Sequence, residues 1–486
     1  MIEQLAHRVR SGWNSRGAGA RHDRIRPDPP EETRACRRLA TTGLLCCLVL
    51  LVRDGLAVDA EYLSTDAPPA SVEEEKSAFG EGVAETIEEK RRPSLFPNLR
   101  KALQAIPRFW REGHLIGNFR TYSLDQSRDD AQDREAWAAG GSLAYQTGWW
   151  KQTLRLGANL YTSQKLHGPR DKAGTGLLKP VQNSFTVLGQ LYAQIQLGGD
   201  VILRAFRQAF HLPYVNANDT RMVPNTFEAL TLYRLGVDRL DVVASHITRI
   251  KPRDSSKFVS MSEAAGIEGE NKGLTLAGAR YALGKGMDIG AVNQYAWDFM
   301  NTFYSEGHAV WTLTDDVAIR FAGQFTSQKS VGQALDGKFD TRVWGAKLSA
   351  SYAGAILTVA HTSTADNSGI RSPYGGYPGY ASVIVQDFDR AGESAWLIGL
   401  STDFRSLGIK GLSAFANYVD GDTPDSGSKA SPDQKEIDIT VDYRVQQDLL
   451  KGLWIRLRHA YVDQEGAGAT DFTDNRIIVN YEIPLW

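Results

Sequence analysis

Cysteine is scarce in this 486-residue chain and is confined to one end of it. The three cysteines are Cys36, Cys46 and Cys47, and no cysteine follows. The chain beyond residue 47 therefore has no disulfide framework of the kind that stabilises small secreted domains.

Long apolar runs are also missing beyond the N-terminal region, where no segment has 18 consecutive apolar residues. A spanning helix needs roughly 20 predominantly apolar residues. If the chain enters a membrane, it must do so as a closed β-barrel, because lipid does not tolerate open sheet edges.

Signs of catalysis or of nucleic-acid binding are absent as well. The nine histidines show no metal-ligand spacing, and the loop serines have no evident His/Asp arrangement. We therefore predict no enzyme activity, no metal and no cofactor. The net charge of −2 argues against nucleic acid as a partner, since phosphate binding needs a basic surface.

The first 60 residues have the features of an export signal. Arginines at 34–38 precede an apolar stretch at 39–52, and small residues follow, with cleavage predicted after Ala57 or Ala60. Residues 1–60 are thus interpreted as a prefix and signal peptide. A single-pass anchor or a buried helix is the alternative.

The next segment, residues 61–112, combines charge clusters with five prolines. This composition predicts a charged periplasmic extension, partly helical or disordered. A plug inside a barrel is the alternative. Residues 113–486 are predicted to form the barrel domain.

Alternation with period two dominates the remainder. In 437–445 every odd position is apolar or aromatic and every even position is polar, and 344–352 alternates in the same way. Such segments form strands with one apolar and one polar face. A soluble sandwich alternates too, and a composition of 42% hydrophobic and 23% charged residues suits either class.

Three details favour lipid on the apolar side. Aromatics such as Trp344, Tyr352 and Trp396 lie near the ends of the apolar rows, as interfacial girdles require. The opposite face carries Arg and Lys. The last strand, 477–486, has Leu485 in phase with Trp486 one residue beyond, and it resembles the signal that the outer-membrane barrel assembly machinery reads.

Linkers separate these segments. Residues 169–183, 251–272, 366–392 and 421–435 are rich in Gly, Pro, Ser and Asp, and they are predicted to be extracellular loops. Short turns such as 284–286 are predicted on the periplasmic side.

One stretch resembles a known family. Asp219, Arg221, Pro224, Thr226 and Phe227 match the D-x-R-x-x-P-x-T-F stretch of the OprD-type outer-membrane porins. Shorter segments also resemble the family and occur in the family's order along the chain, at 119–122, 174–177, 278–282, 387–396 and 456–458.

The resemblance implies a transmembrane antiparallel β-barrel of roughly 18 strands with inward-folded constriction loops, in the outer membrane of a Gram-negative cell. It implies passive diffusion of small anionic or zwitterionic solutes, namely carboxylates, amino acids and small peptides. Outer-membrane lipid is an implied partner, and a homotrimer stays open. A pore for neutral solutes such as oligosaccharides or aromatics, and a non-conducting barrel with adhesive loops, are the alternatives.

Basic residues on the polar faces are the candidate translocation site. Arg binds carboxylates bidentately, which a Lys point charge cannot do. Strand phase predicts a lumenal basic track of Arg120, Arg155, Arg204, Arg280, Arg320, Lys347, Arg444, Arg456 and Arg458.

The family resemblance supports part of this track, and the sequence differs from the family at one position. Arg280, Arg456 and Arg458 match the family's basic wall by position, and Arg221 and Asp387 are placed at the constriction. Asn417 stands where members of the family often have Arg. For each arginine, bracing of the wall against a lumenal carboxylate is the competing interpretation, since buried charges are usually paired.

Overall fold

The computed structural model describes residues 106–485, except residues 130, 235–238, 448–449 and 467. The predicted prefix and signal peptide (1–60) and residues 61–105 of the predicted extension lie outside the described residues. Both interpretations, and the domain boundary at 113, stay predictions.

Strands account for most of the described residues. They are β1 His114–Arg128, β2 Arg134–Gln146, β3 Leu154–His167, β4 Phe185–Gly198, β5 Val201–Gln208, β6 His211–Leu212, β7 Tyr214–Asn216, β8 Thr226–Arg234, β9 Leu240–Lys251, β10 Val259–Ser260, β11 Leu274–Gly284, β12 Met287–Ala296, β13 Met300–Thr312, β14 Val317–Lys329, β15 Asp340–Tyr352, β16 Ala355–Thr364, β17 Gly375–Gly376, β18 Ser394–Asp403, β19 Leu412–Asp422, β20 Asp433–Arg444, β21 Trp454–Glu465 and β22 Phe472–Pro484.

Helical structure is limited to single turns in these residues: α1 Arg108–Arg111, α2 Met261–Ala264, and 3₁₀ turns at Arg170–Lys172, Pro180–Gln182 and Phe404–Leu407. None of the described helices has the length and apolar character that crossing a membrane requires.

The sheet closes on itself. Consecutive long strands pair antiparallel, and β1 pairs with β22 from Ile116 opposite Pro484 to Arg128 opposite Phe472. The result is a closed barrel of 18 strands, with β6, β7, β10 and β17 in its loops. Because the first and last strands pair, the wall has no unpaired sheet edge. Such an edge is not tolerated in lipid. The predicted fold is therefore confirmed.

The predicted alternation of strand faces also holds in the structure. On β15, Trp344, Leu348 and Tyr352 are each half exposed or more, whereas Val343 and Ser349 are 1% exposed. The exposed set is apolar and the inward set is mixed. Exposed apolar side chains in continuous rows around a barrel form a lipid-facing band.

The two ends of the barrel differ in loop length. The linkers 169–183, 251–272, 366–392 and 421–435 all lie at one end. The turn 284–286 lies at the other end, where β1 begins and β22 ends. Gly286 has a φ of +71° in that turn, a left-handed conformation that glycine adopts without steric cost.

Two loops fold into the barrel and meet there. The loop between β5 and β8 contains β7, the loop between β16 and β18 contains β17, and these two short strands pair. The Tyr214 hydroxyl donates to Thr326 Oγ1 on the wall at 2.8 Å. Gly375 has a φ of +99°, and a Cβ there would lie 2.2 Å from Asn225 Nδ2, so the contact between the loops requires glycine.

A charge on the outer face should destabilise the barrel. Leu348 lies midway between Trp344 and Tyr352 on one apolar row, and we expect Leu348→Arg to cost about 2–4 kcal/mol of unfolding free energy in lipid vesicles. Tyr352→Arg, at the edge of the row, should cost only ~0–1 kcal/mol. Denaturant unfolding measures both variants, and equal costs would contradict this placement of the lipid band.

Candidate functional site

The first inward loop is fixed to the wall by Arg120. Its guanidinium donates to both carboxylate oxygens of Asp219, Nη1 to Oδ1 at 2.7 Å and Nη2 to Oδ2 at 3.0 Å. Nη1 also donates to the carbonyl of Arg221, and Nε donates to Asn480 Oδ1 at 3.1 Å. All three guanidinium nitrogens therefore have protein partners, so Arg120 braces the loop that carries Arg221.

The second inward loop is fixed by carboxylates of β20. Glu436 accepts the backbone N–H groups of Val385 at 2.9 Å and Gln386 at 2.7 Å. Asp438 accepts the N–H of Ile384 at 3.3 Å. Both carboxylates are fully buried. These three hydrogen bonds tie the backbone of the second inward loop to β20, so the pair defines where the loop lies.

Two arginines of different loops lie close together. Arg221 belongs to the first inward loop, between β5 and β8, and Arg253 belongs to the loop between β9 and β11. Arg221 Nε donates to the carbonyl of Thr175 at 2.8 Å, and Arg253 Nη1 donates to Thr220 Oγ1 at 3.0 Å. A Cβ on Gly176 would lie 3.6 Å from the Nε of each arginine, so the two side chains flank this glycine. Neither forms a salt bridge with a described carboxylate.

A second arginine pair lies on the wall. Arg458 of β21 is directly opposite Arg476 of β22 in the strand register. Arg476 Nε donates to Asp474 Oδ1 at 2.5 Å, and Nη2 donates to the carbonyl of Ile384 at 3.2 Å. Arg458 Nε is buried and has no hydrogen-bond partner among the described residues. Like charges opposite each other are unfavourable unless something compensates them.

The structure brings only part of the predicted track together. Arg456 and Arg458 lie on β21 and Arg120 lies on β1, so these three flank β22. Arg444 lies on β20, which pairs with β21. Arg456 is held by Asp442, with Nε to Oδ1 at 2.6 Å and Nη2 to Oδ2 at 2.8 Å.

The other predicted cations are spread around the barrel on β3, β5, β11, β14 and β15. Their contacts are with the wall or the loops. Arg155 Cζ lies 4.3 Å from the Trp149 ring centroid, Arg204 Nη2 donates to the Tyr233 hydroxyl at 3.2 Å, Arg280 Nη2 lies 2.9 Å from Asp288 Oδ2, Lys347 Nζ lies 4.8 Å from the Tyr380 ring centroid, and Arg320 is 4% exposed on the inward face of β14.

The loop groups have shifted acidities. Burial lowers the pKa of Arg221 to about 10, which leaves it cationic at neutral pH. Burial also raises the pKa of Asp387, whose Oδ1 accepts the Ser382 hydroxyl at 2.6 Å. Burial, together with the neighbouring Asp387 and Glu393, raises the pKa of Asp389 to about 7. The second inward loop therefore changes charge near neutral pH.

Anion preference should consequently fall as the pH rises from 6 to 8. Asp389 is neutral below its pKa of about 7 and anionic above it. The same raised pKa means that docking of the loop loses stability as the pH rises from about 3.8 to about 7. Reversal potentials in planar bilayers measure the preference, and Asp389→Asn should flatten the profile. If the anion preference of that variant fell with pH as steeply as in the wild type, the effect would belong to another titrating group.

Four functional candidates were not among the sequence predictions. Arg476 is in phase with the inward positions of β22, opposite the apolar row that identified the strand, and this phase was the available signal. Glu436 is likewise in phase on β20. Arg253 and the loop contacts of Asp438 depend on how distant loops fold, and no local pattern predicts that.

Metal binding has no support in the part of the chain that the structure describes, which holds no group of three or more His, Cys, Asp or Glu side chains able to bind an ion.

A closed antiparallel barrel with an apolar exterior, narrowed by inward loops beside a cationic wall, defines a channel of the bacterial outer membrane. The chain belongs to the OprD family of outer membrane porins, whose family model matches residues 107–485. As the resemblance implied, it is an outer-membrane porin.

Curated relatives agree with this assignment. Porin D of Pseudomonas aeruginosa is 25% identical over 415 residues, which cover 76% of this chain and 90% of Porin D. The porin-like protein GalP of Pseudomonas putida is 22% identical over 362 residues, which cover 72% of this chain and 86% of GalP. These relatives are porins rather than enzymes.

Solved structures share the fold. Pseudomonas aeruginosa OccK9 (OpdG) matches with a TM-score of 0.71 and 24% identity, covering 78% of this chain and 100% of OccK9. Pseudomonas aeruginosa OpdK, solved with vanillate, matches with a TM-score of 0.71 and 20% identity, covering 77% of this chain and 99% of OpdK.

Proposed function

We propose that this porin is selective for small anionic or zwitterionic solutes, namely carboxylates, amino acids and small peptides. The observation that carries the proposal is the arginine pair Arg458 and Arg476, opposite each other on the wall beside the docked segment of the second inward loop. Arg458 forms no salt bridge with a described carboxylate, and its buried Nε has no hydrogen-bond partner among the described residues. A preorganised cation of this kind attracts an anion that has lost part of its hydration.

The strand register supports stepwise passage along the wall. Successive inward positions of one strand are about 7 Å apart. Arg458 and Arg456 are one such step apart on β21, and Arg120 lies a further step along, opposite Asn480, which in turn is opposite Trp454. A carboxylate can therefore meet successive guanidinium groups at short intervals, so that no single site traps it.

Bracing and solute contact divide the arginines of the wall and the loops. Arg120 and Arg456 each bind a carboxylate bidentately, so their charge is largely compensated. Arg221, Arg253 and Arg458 have no such partner among the described residues. We therefore assign solute contact chiefly to these three and wall stability to Arg120 and Arg456. Arg476 contributes to both, because Asp474 binds it at 2.5 Å while it lies opposite Arg458.

The loop carboxylate Asp387 supports orientation of zwitterions. The Arg253 guanidinium lies within electrostatic reach of it. Cations facing an acidic loop set up a field across the constriction, and such a field orients a solute that carries both charges. Asn417, opposite Asp438 on β20, leaves β19 without an arginine there, so the proposed track is limited to β20–β22 and β1.

The relative OpdK, which was solved with vanillate, gives circumstantial support, because vanillate carries a carboxylate. The last strand is also proposed to be the element that the barrel assembly machinery recognises, with Ile483 opposite Gly117 on β1. The homotrimer stays a prediction.

Planar-bilayer recording tests the function. In a KCl gradient we expect a reversal potential that shows chloride preferred over potassium, and liposome swelling should be faster with small carboxylates than with neutral sugars of equal size. Stable conductance with no anion preference would overturn the proposal. Absence of any conductance would favour a barrel with adhesive loops.

A further inference from the structure

A cavity of about 450 Å³ opens on the long-loop side, between β1, β2, β22 and the two inward loops. Four arginines line it, whereas Asp474 is the single carboxylate in its lining. The four are Arg128, Arg134, Arg221 and Arg476. Its size is within the range of small-molecule sites, roughly 300–1,000 Å³.

Three of these guanidinium groups form no salt bridge with a described carboxylate. Asp474 is bound to Arg476 at 2.5 Å. Arg128 Nε donates to the amide oxygen of Gln126 at 3.0 Å, and its Cζ lies 5.1 Å from the Phe472 ring centroid. Arg134 has no hydrogen bond or ion pair with any described residue. The cavity thus carries an excess of about three positive charges, which disfavours a solute bearing an ammonium group.

The cations of the strands form two groups at different depths, with Arg128 and Arg134 in the outer group and Arg476 in the inner one. Arg134 is opposite Gln126, and Gln126 is opposite Asp474, so these three share one level of the wall. Arg476 is opposite Leu124, one inward position deeper, which is about 7 Å along the strand. Arg128 lies one step nearer the rim.

Apolar side chains accompany the cations at both depths, since Leu124 is opposite Arg476 and Phe472 is opposite Arg128. Leu124, Ile384, Val385 and Phe472 line the same cavity, and Leu124 is 2% exposed. A monocarboxylate can meet only one level of cations. A solute with a carboxylate at each end and a hydrocarbon between them meets both levels, and it places its apolar part against this wall.

We propose that the cavity is a binding site for small dicarboxylates with an apolar spacer, which bind there before they pass the constriction. Arg128 and Arg134 receive the outer carboxylate, and Arg221 and Arg476 receive the inner one. The inference rests on the proposed function, because it names the solute class that the anion-selective channel takes.

Current interruption in planar bilayers tests the site, with terephthalate and benzoate as probes that differ by one carboxylate. In the wild-type channel, terephthalate should interrupt the current at a concentration about tenfold lower than benzoate, since a second charge-assisted contact is worth at least that factor. In the Arg128→Gln/Arg134→Gln double variant the advantage should fall to about twofold or less, while benzoate binding changes little.

Two further variants separate charge from contact. Arg170→Gln removes an exposed arginine at the same end of the barrel but outside the cavity, and it should keep the full advantage of terephthalate. Arg128→Lys/Arg134→Lys keeps the charge, loses bidentate binding and should give an intermediate value.

The outcomes distinguish the two proposals. Equal binding of terephthalate and benzoate in an anion-selective wild-type channel would overturn the dicarboxylate site and leave the proposed function standing. A full terephthalate advantage in the double glutamine variant would also overturn it. A channel without anion preference that binds neither probe would refute both.

Discussion

Replacing Arg458 and Arg476 together with glutamine should abolish the anion preference of the channel. The two guanidinium groups are opposite each other on β21 and β22, and Arg476 alone neutralises Asp474. Their removal takes two positive charges from the wall and leaves Asp474 without its partner, while Asp387 stays on the loop. Charge at close range in a narrow pore dominates ion selectivity, so we expect the chloride-to-potassium permeability ratio to fall to about unity or below.

The matched control removes two charges elsewhere. Lys285 and Lys410 are exposed at the short-turn end of the barrel, and Lys285→Gln/Lys410→Gln should change the ratio by less than about twofold, since exposed charges are screened by salt. Single Arg458→Gln should give an intermediate ratio, because Arg476 and its carboxylate stay in place. If the double variant at 458 and 476 kept the wild-type chloride-to-potassium permeability ratio, the assignment of anion selectivity to this arginine pair would be wrong.

The contrast between Arg456 and Arg458 shows what strand phase can and cannot predict. Both side chains point inward, as the alternation on β21 indicates. Asp442 forms a salt bridge with Arg456, whereas Arg458 forms none with a described carboxylate and its Nε has no hydrogen-bond partner among the described residues. This difference arises from the register between β20 and β21, which one strand's own pattern does not contain. Strand phase predicts which side chains point inward, but it does not separate residues that brace the wall from residues that are proposed to contact a solute.

The contacts of the inward loops show a second limit of prediction from the sequence. The linker 366–392 was predicted as an extracellular loop from its composition, and its position at the long-loop end agrees with that. The pairing of Gly375 and Gly376 with β7 joins residues about 160 positions apart, so no local signal announces it. The family resemblance supplied the inward folding of both loops, and the contacts that hold them became visible only in three dimensions.

The docking of the second inward loop should control the conductance through Glu436. This carboxylate accepts two backbone N–H groups, from Val385 and Gln386, and each buried N–H left without an acceptor costs about 1–3 kcal/mol. Glu436→Ala should therefore release the segment 384–386 from β20. We expect single-channel conductance to rise severalfold and current noise to increase.

The direction of the conductance change distinguishes loop release from general damage to the barrel. A destabilised wall would lose conductance and selectivity together, whereas release of the loop raises conductance and keeps Arg458 and Arg476 in place. Glu436→Gln keeps one acceptor oxygen and should give an intermediate conductance. Asp463→Ala removes a carboxylate from the next strand, β21, one residue beyond the position opposite Glu436, and should leave the current unchanged. Because Glu436 and Asp438 are polar groups buried two residues apart, their desolvation is tolerated only while the loop amides compensate it, so the same contacts that set the pore size also keep these side chains in the wall.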